Sequence, residues 1–121
     1  MMWQGIDRRR FPRAEYPCRV AVLRSDLRQA FSTQTENIGT GGICVILPKA
    51  LPNFCSVELL LYLKDGESPI ECNGRIVWVV QRESNFDIGI EFIDIREIDR
   101  LRVERIVQEC LRKQTQIKKS S

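Results

Sequence analysis

Histidine is absent from the 121 residues. That absence excludes Ser-His-Asp and Cys-His catalysis, imidazole acid–base chemistry and any zinc site with a histidine ligand. The five cysteines, Cys18, Cys44, Cys55, Cys72 and Cys110, include no CxxC pair and form no recognisable disulfide framework. Their apolar or strand-like neighbours, as in Gly42-Ile43-Cys44-Val45-Ile46, mark them as small core residues, and unpaired thiols suit a reducing compartment. No metal site is expected. Long hydrophobic runs are also missing. The longest, Val57 to Leu63, is interrupted by Glu58 and falls far short of the ~20 residues of a membrane span. The first ten residues carry charges with no apolar run after them, so no signal peptide and no membrane insertion are expected, and the expected location is cytoplasmic.

What is present is one domain's worth of ordinary globular sequence. Hydrophobic residues make up 43% and charged residues 29%, with 19 basic side chains against 16 acidic for a net +3. A chain of this length can bury one core, and its mild basicity does not by itself imply nucleic acid. Residues 1–14 (Met-Met-Trp-Gln-Gly-Ile-Asp-Arg-Arg-Arg-Phe-Pro-Arg-Ala) read as a flexible basic arm, with Pro12 forcing Phe11 toward extended geometry.

From Glu15 to Arg24 the pattern alternates, with Tyr16, Cys18, Val20 and Val22 on one face. Further strands are expected at about 29–36, 43–47, 56–63, 70–81 and 86–92. Asp65-Gly66 marks a hairpin, and Gly74 suggests a bend or bulge. Six closely spaced strands with short turns favour a small antiparallel barrel or sandwich. The period then changes. Asp94-Ile95-Arg96-Glu97 resembles a capping box, and Ile95, Ile98, Val103, Ile106, Val107, Cys110 and Leu111 fall on one side of a helix over about 94–113. Residues 15–113 thus form the domain, and 114–121 read as a disordered polar tail.

Two features carry chemistry. Arg8, Arg9, Arg10 and Arg13 lie within six residues, and none is lysine. Such a cluster is commonly a solvated basic arm. Guanidinium forks, however, make bidentate bonds to phosphate and to the O6/N7 edge of guanine. The second feature is Asn37-Ile38-Gly39-Thr40-Gly41-Gly42. As a plain glycine-rich connection it needs no function, but its glycines would permit positive φ and close approach of a ligand, and Asn37 offers an amide to a base edge.

Arg8-Arg9-x-x-x-Arg13 followed by Asn37-x-Gly39-x-x-Gly42 resembles the two motifs of the PilZ domain family. Gly74-Arg75-Ile76-Val77-Trp78 and Gly89-Ile90-Glu91-Phe92 are similar to its later strands. The resemblance covers roughly residues 7 to 111. It implies a mainly β fold, a six-stranded antiparallel barrel with a C-terminal α-helix. It also implies a bacterial receptor for cyclic di-GMP that is not an enzyme, needs no cofactor besides that ligand and signals to an unidentified effector protein. The implied ligand-binding residues are Arg8, Arg9, Arg13, Asn37, Gly39 and Gly42. Trp78 is added as a base contact, although a strand tryptophan is ordinarily core. Gly39 stands where the family usually has serine. A degenerate PilZ-like module that binds only protein is the main alternative. A nucleic-acid groove would need several exposed aromatics, which the 7% aromatic content fits poorly.

Overall fold

The computed structural model describes residues 13–24 and 28–120, with side chains as far as Lys113. The alternating segments form strands β1 (Arg13–Ala14), β2 (Arg19–Arg24), β3 (Gln29–Gly39), β4 (Gly42–Leu47), β5 (Ser56–Tyr62), β6 (Ile70–Arg82) and β7 (Asn85–Phe92). Helix α1 (Glu97–Ser120) follows. Every pairing is antiparallel. The strand order β1-β3-β2-β5-β6-β7-β4 is closed by a further β3–β4 pairing, so six strands make a barrel and the open sandwich is excluded. β1 is a short addition beside the end of β3, with Arg13 opposite Gly39 and Ala14 opposite Ile38. The expected arm thus ends in a ladder at its last two residues; Arg8, Arg9 and the rest of residues 1–12 lie outside the described residues.

One side of each strand fills the core: Val20, Val22, Ile38, Ile43, Val45, Leu47, Ile76, Ile88 and Ile90 are fully buried, as the period of two requires. The Asp65-Gly66 hairpin is present, and Gly66 takes a φ of 76°. Gly74 is not the bend. The register of β6 shifts between Ile76 and Trp78 instead, and a Cβ at Gly74 would lie 2.7 Å from Ile90 Cγ2, so this glycine serves close packing.

α1 begins at Glu97, not at 94. The Asp94 carboxylate accepts hydrogen bonds from the Asn73 backbone N and Nδ2, both at 2.7 Å. These bonds hold its carboxyl below the usual range and commit it to β6 rather than to a helix cap. Val103, Ile106 and Val107 are buried as expected, but Ile98 is 64% exposed and does not join the packed stripe. The helix also continues through residues 114–120, where a tail was expected.

Asp99, buried, accepts from Arg102 Nη1 at 3.1 Å and from Arg96 Nε at 3.0 Å. Arg102 also forks onto both oxygens of Asp65 at 3.1 Å, holding that carboxyl below its ordinary value and tying the helix to the β5–β6 hairpin. The helix packs beside β1 and β3. No helix among the described residues is long and apolar enough to cross a membrane.

Candidate functional site

Two β-bulges decide which side chains reach the outer wall of the barrel. On β3, Thr35 pairs with Val45 and Asn37 with Cys44, so Glu36 is an extra residue. Without it, strict alternation from buried Thr35 would turn Asn37 inward. With it, Ile38 faces the core while Glu36 and Asn37 both face out, the re-aiming that bulges produce. Thr35 is pinned in turn: its Oγ1 donates to the Tyr16 carbonyl at 2.6 Å and accepts from the Cys18 N–H at 3.0 Å. On β6, Ile76 pairs with Ile90 and Trp78 with Gly89, leaving Val77 as the extra residue. Trp78 is therefore turned from the core to the outer face.

The result is a row across four strands, Asn37–Cys44–Gly89–Trp78, each residue opposite the next. A Cβ on Gly89 would lie 2.2 Å from Trp78 Nε1, so glycine there is what lets the indole lie against β7. Arg13 enters from the other side of β3, sharing an outward face with Gly39 and Asn37 because its neighbour Ala14 pairs with buried Ile38. Arg13, Asn37, Cys44 and Trp78 line a cleft of about 150 Å³, which Glu36, Arg82 and Asp87 complete.

Chemically the cleft is mixed. Its arginines, Arg13 and Arg82, match its carboxylates, Glu36 and Asp87, in number, and Arg82 forms an ion pair with Asp87. Asn37 Oδ1 is buried and has no hydrogen-bond partner among the described residues. Such an acceptor costs about 1–3 kcal/mol until a donor meets it. Burial, reinforced by Asp87, pushes the Cys44 thiol up to about 11, so it remains a protonated wall of the cleft rather than a nucleophile.

Of the residues expected from sequence, Arg13, Asn37 and Trp78 meet in the cleft. Gly39 and Gly42 pair with each other at the end of the β3–β4 hairpin and do not act as a positive-φ loop: among the described residues, the glycine with positive φ is Gly66. Glu36, Cys44, Arg82 and Asp87 were missed. The one available signal was at Asp87, which alternates with the apolar Phe86, Ile88 and Ile90 and therefore points outward.

A family model for the PilZ domain matches residues 7–109. Solved structures share the fold. The Bacillus subtilis inhibitor of motility, MotI/DgrA, superposes with a TM-score of 0.72 at 20% identity, over 88% of this chain and 51% of that one. The PilZ domain of Escherichia coli YcgR with c-di-GMP gives 0.68 at 13% identity, over 94% of this chain and 99% of that one. The PilZ domain of CeSA from a cellulose-synthesizing bacterium gives 0.58 at 25% identity, over 80% and 95%. This chain spans about half the length of the MotI/DgrA chain and of the Escherichia coli YcgR chain solved in complex with c-di-GMP. No curated protein sequence matches it significantly.

Proposed function

Because the chain belongs to the PilZ domain family, we propose that it is a receptor domain for cyclic di-GMP, bound on the outer wall of the barrel around the Asn37–Trp78 row. The observation that carries this reading is the meeting of Arg13, Asn37 and Trp78 in one cleft, brought about by the two bulges. Arg8, Arg9 and Arg13 supply forks for phosphate oxygens and guanine O6/N7. Asn37 Oδ1 takes a guanine N–H, and Trp78 offers a surface for the base. Calorimetric titration with cyclic di-GMP, with GTP and cyclic di-AMP as controls, tests the proposal. Saturable heat with cyclic di-GMP and little with the controls is expected. A folded protein giving no heat overturns it and leaves the protein-binding module.

Gly39→Ser restores the hydroxyl the family usually carries. Gly39 is not among the positive-φ residues, and it shares the outward face of Asn37, so serine adds a donor beside the ligand without forcing the backbone. Affinity for cyclic di-GMP is expected to rise by up to about tenfold, the worth of one neutral hydrogen bond. A titration in which the variant binds more weakly would remove the missing hydroxyl as an account of this position.

The signal to the effector protein passes, in this proposal, through residues 1–12. Clustered arginines repel one another until phosphates draw them together, and ordering such a segment across the cleft creates a surface that a partner can read. Since Arg13 already belongs to β1, the change is confined to what precedes it. Hydrogen exchange should gain protection at Arg8 to Arg10 with ligand and change little in α1; protection already complete in the free protein would rule the switch out.

A further inference from the structure

The cleft holds a carboxylate that anion binding does not explain. Asp87 lies on β7 between the register partners Ile46 and Val80, and its side chain is only 14% exposed. The guanidinium it pairs with, on Arg82, is 72% exposed. An ion pair with so exposed a partner adds little to stability, so it is a weak reason to keep a carboxylate there. For phosphate alone the carboxylate is a handicap: Glu36 and Asp87 cancel Arg13 and Arg82, and the described part of the cleft carries no net positive charge. What a carboxylate suits is a donor-rich edge, since an ionised carboxyl only accepts.

We infer that Asp87, positioned by Arg82, reads the Watson–Crick edge of a guanine and sets this domain's preference for guanine over adenine; the inference rests on the cyclic di-GMP reading. Guanine offers N1–H and N2–H₂ side by side, a match for two carboxylate oxygens. Adenine places an acceptor at N1, which a carboxylate repels. Arg82 Nε pairs with one carboxylate oxygen, Oδ2, and an ionised carboxylate has about four lone-pair sites, so Asp87 keeps acceptor capacity for a ligand in the cleft that both residues line. The size agrees: about 150 Å³ is well below the roughly 300–1,000 Å³ of pockets that engulf a whole ligand. It suits one flat base beside the Trp78 ring, with the rest of the dinucleotide outside. A site built to hydrogen-bond a group discriminates strongly against analogues lacking it.

The two possible roles of Asp87 predict opposite signs. The test titrates the full chain and its Asp87→Asn and Asp87→Ala variants with cyclic di-GMP and cyclic di-AMP, with thermal midpoints checking the fold. Both variants are expected to lose about tenfold or more in affinity for cyclic di-GMP, and the gap between the two dinucleotides should narrow by a similar factor. If Asp87 only neutralises Arg82, its removal leaves the cleft net positive, both dinucleotides bind more tightly and their ratio is unchanged; that result overturns the inference, as does no change at all. Cyclic di-IMP, which lacks the N2 amine, provides a test on the wild-type protein independent of variant folding. It should bind about tenfold more weakly than cyclic di-GMP, and equal affinity overturns the inference. Wild-type protein that fails to bind cyclic di-GMP refutes the underlying reading itself and takes this inference with it, whereas wild-type binding with an unaltered ratio in the variants refutes the role of Asp87 alone.

Discussion

Gly42→Ala is expected to lower the thermal midpoint by roughly 4–12 °C, the effect of about 1–3 kcal/mol of overpacking in a domain of this size. Gly42 opens β4 opposite Glu91. A Cβ there would fall 2.1 Å from the Ile90 carbonyl oxygen, 2.9 Å from Glu91 Cα and 3.0 Å from the Ile90 carbonyl carbon. All three are backbone atoms, so no rotamer change relieves the clash and the β4–β7 ladder itself must part. The same ladder carries the Cys44–Gly89 step of the site's row, and its end is held by the Phe92 N–H donating to the Gly41 carbonyl at 2.9 Å. Binding of cyclic di-GMP should therefore fall together with stability. Barrel packing by itself thus requires a glycine at the last position of the second motif. Thermal unfolding followed by circular dichroism checks the expectation, and a midpoint equal to that of the wild type would contradict it.

The strands were legible because each buries one face, and Val20, Val22, Ile88 and Ile90 announce that face by alternation alone. The Asp65-Gly66 turn was legible because Gly66 supplies the positive φ that a tight hairpin needs. Alternation could not reveal the bulges. Nothing local distinguishes Glu36 or Val77 as the extra residue, since a bulge is defined by the register with a distant partner. Strand tryptophans are ordinarily core, and strict alternation from buried Ile76 would also turn Trp78 inward; the register shift turns it out. The same limit hid Cys44, Arg82 and Asp87, whose proximity to Asn37 arises only once β3, β4, β7 and β6 lie side by side. Asp94 had the right spacing for a helix cap, but the competing donors on Asn73, 21 residues earlier, took it. Arg13 and Asn37, by contrast, stood out from sequence as members of motifs, and the structure brings both to the same cleft.

The larger functional effect is expected at Arg13. Arg13→Ala should weaken cyclic di-GMP binding by about 10- to 150-fold, the loss of a charge-assisted hydrogen bond worth about 1.5–3 kcal/mol, with little change in the thermal midpoint. Stability is spared because β1 is held from its other residue. Ala14, 2% exposed and opposite Ile38, buries its methyl group in the core, and the backbone pairing of residue 13 with Gly39 does not depend on the side chain. Binding is not spared, for two reasons. The guanidinium projects to the outer face beside Asn37, where a fork can take a phosphate or the guanine O6/N7 edge. Its charge also offsets one of the two carboxylates in the cleft, so alanine leaves the described cleft with a net negative charge against a ligand that bears two phosphates. Arg13→Lys restores the charge but not the fork and should recover only part of the affinity; Arg9→Ala, at the second arginine of the same motif, should lose a similar amount to Arg13→Ala. Part of the Arg13 effect is simple charge repulsion, so the gap between wild type and Arg13→Lys should persist at high salt while the gap between Arg13→Lys and Arg13→Ala shrinks. Calorimetry at two ionic strengths separates the two contributions, and an Arg13→Ala protein that titrates like the wild type would remove Arg13 from the site.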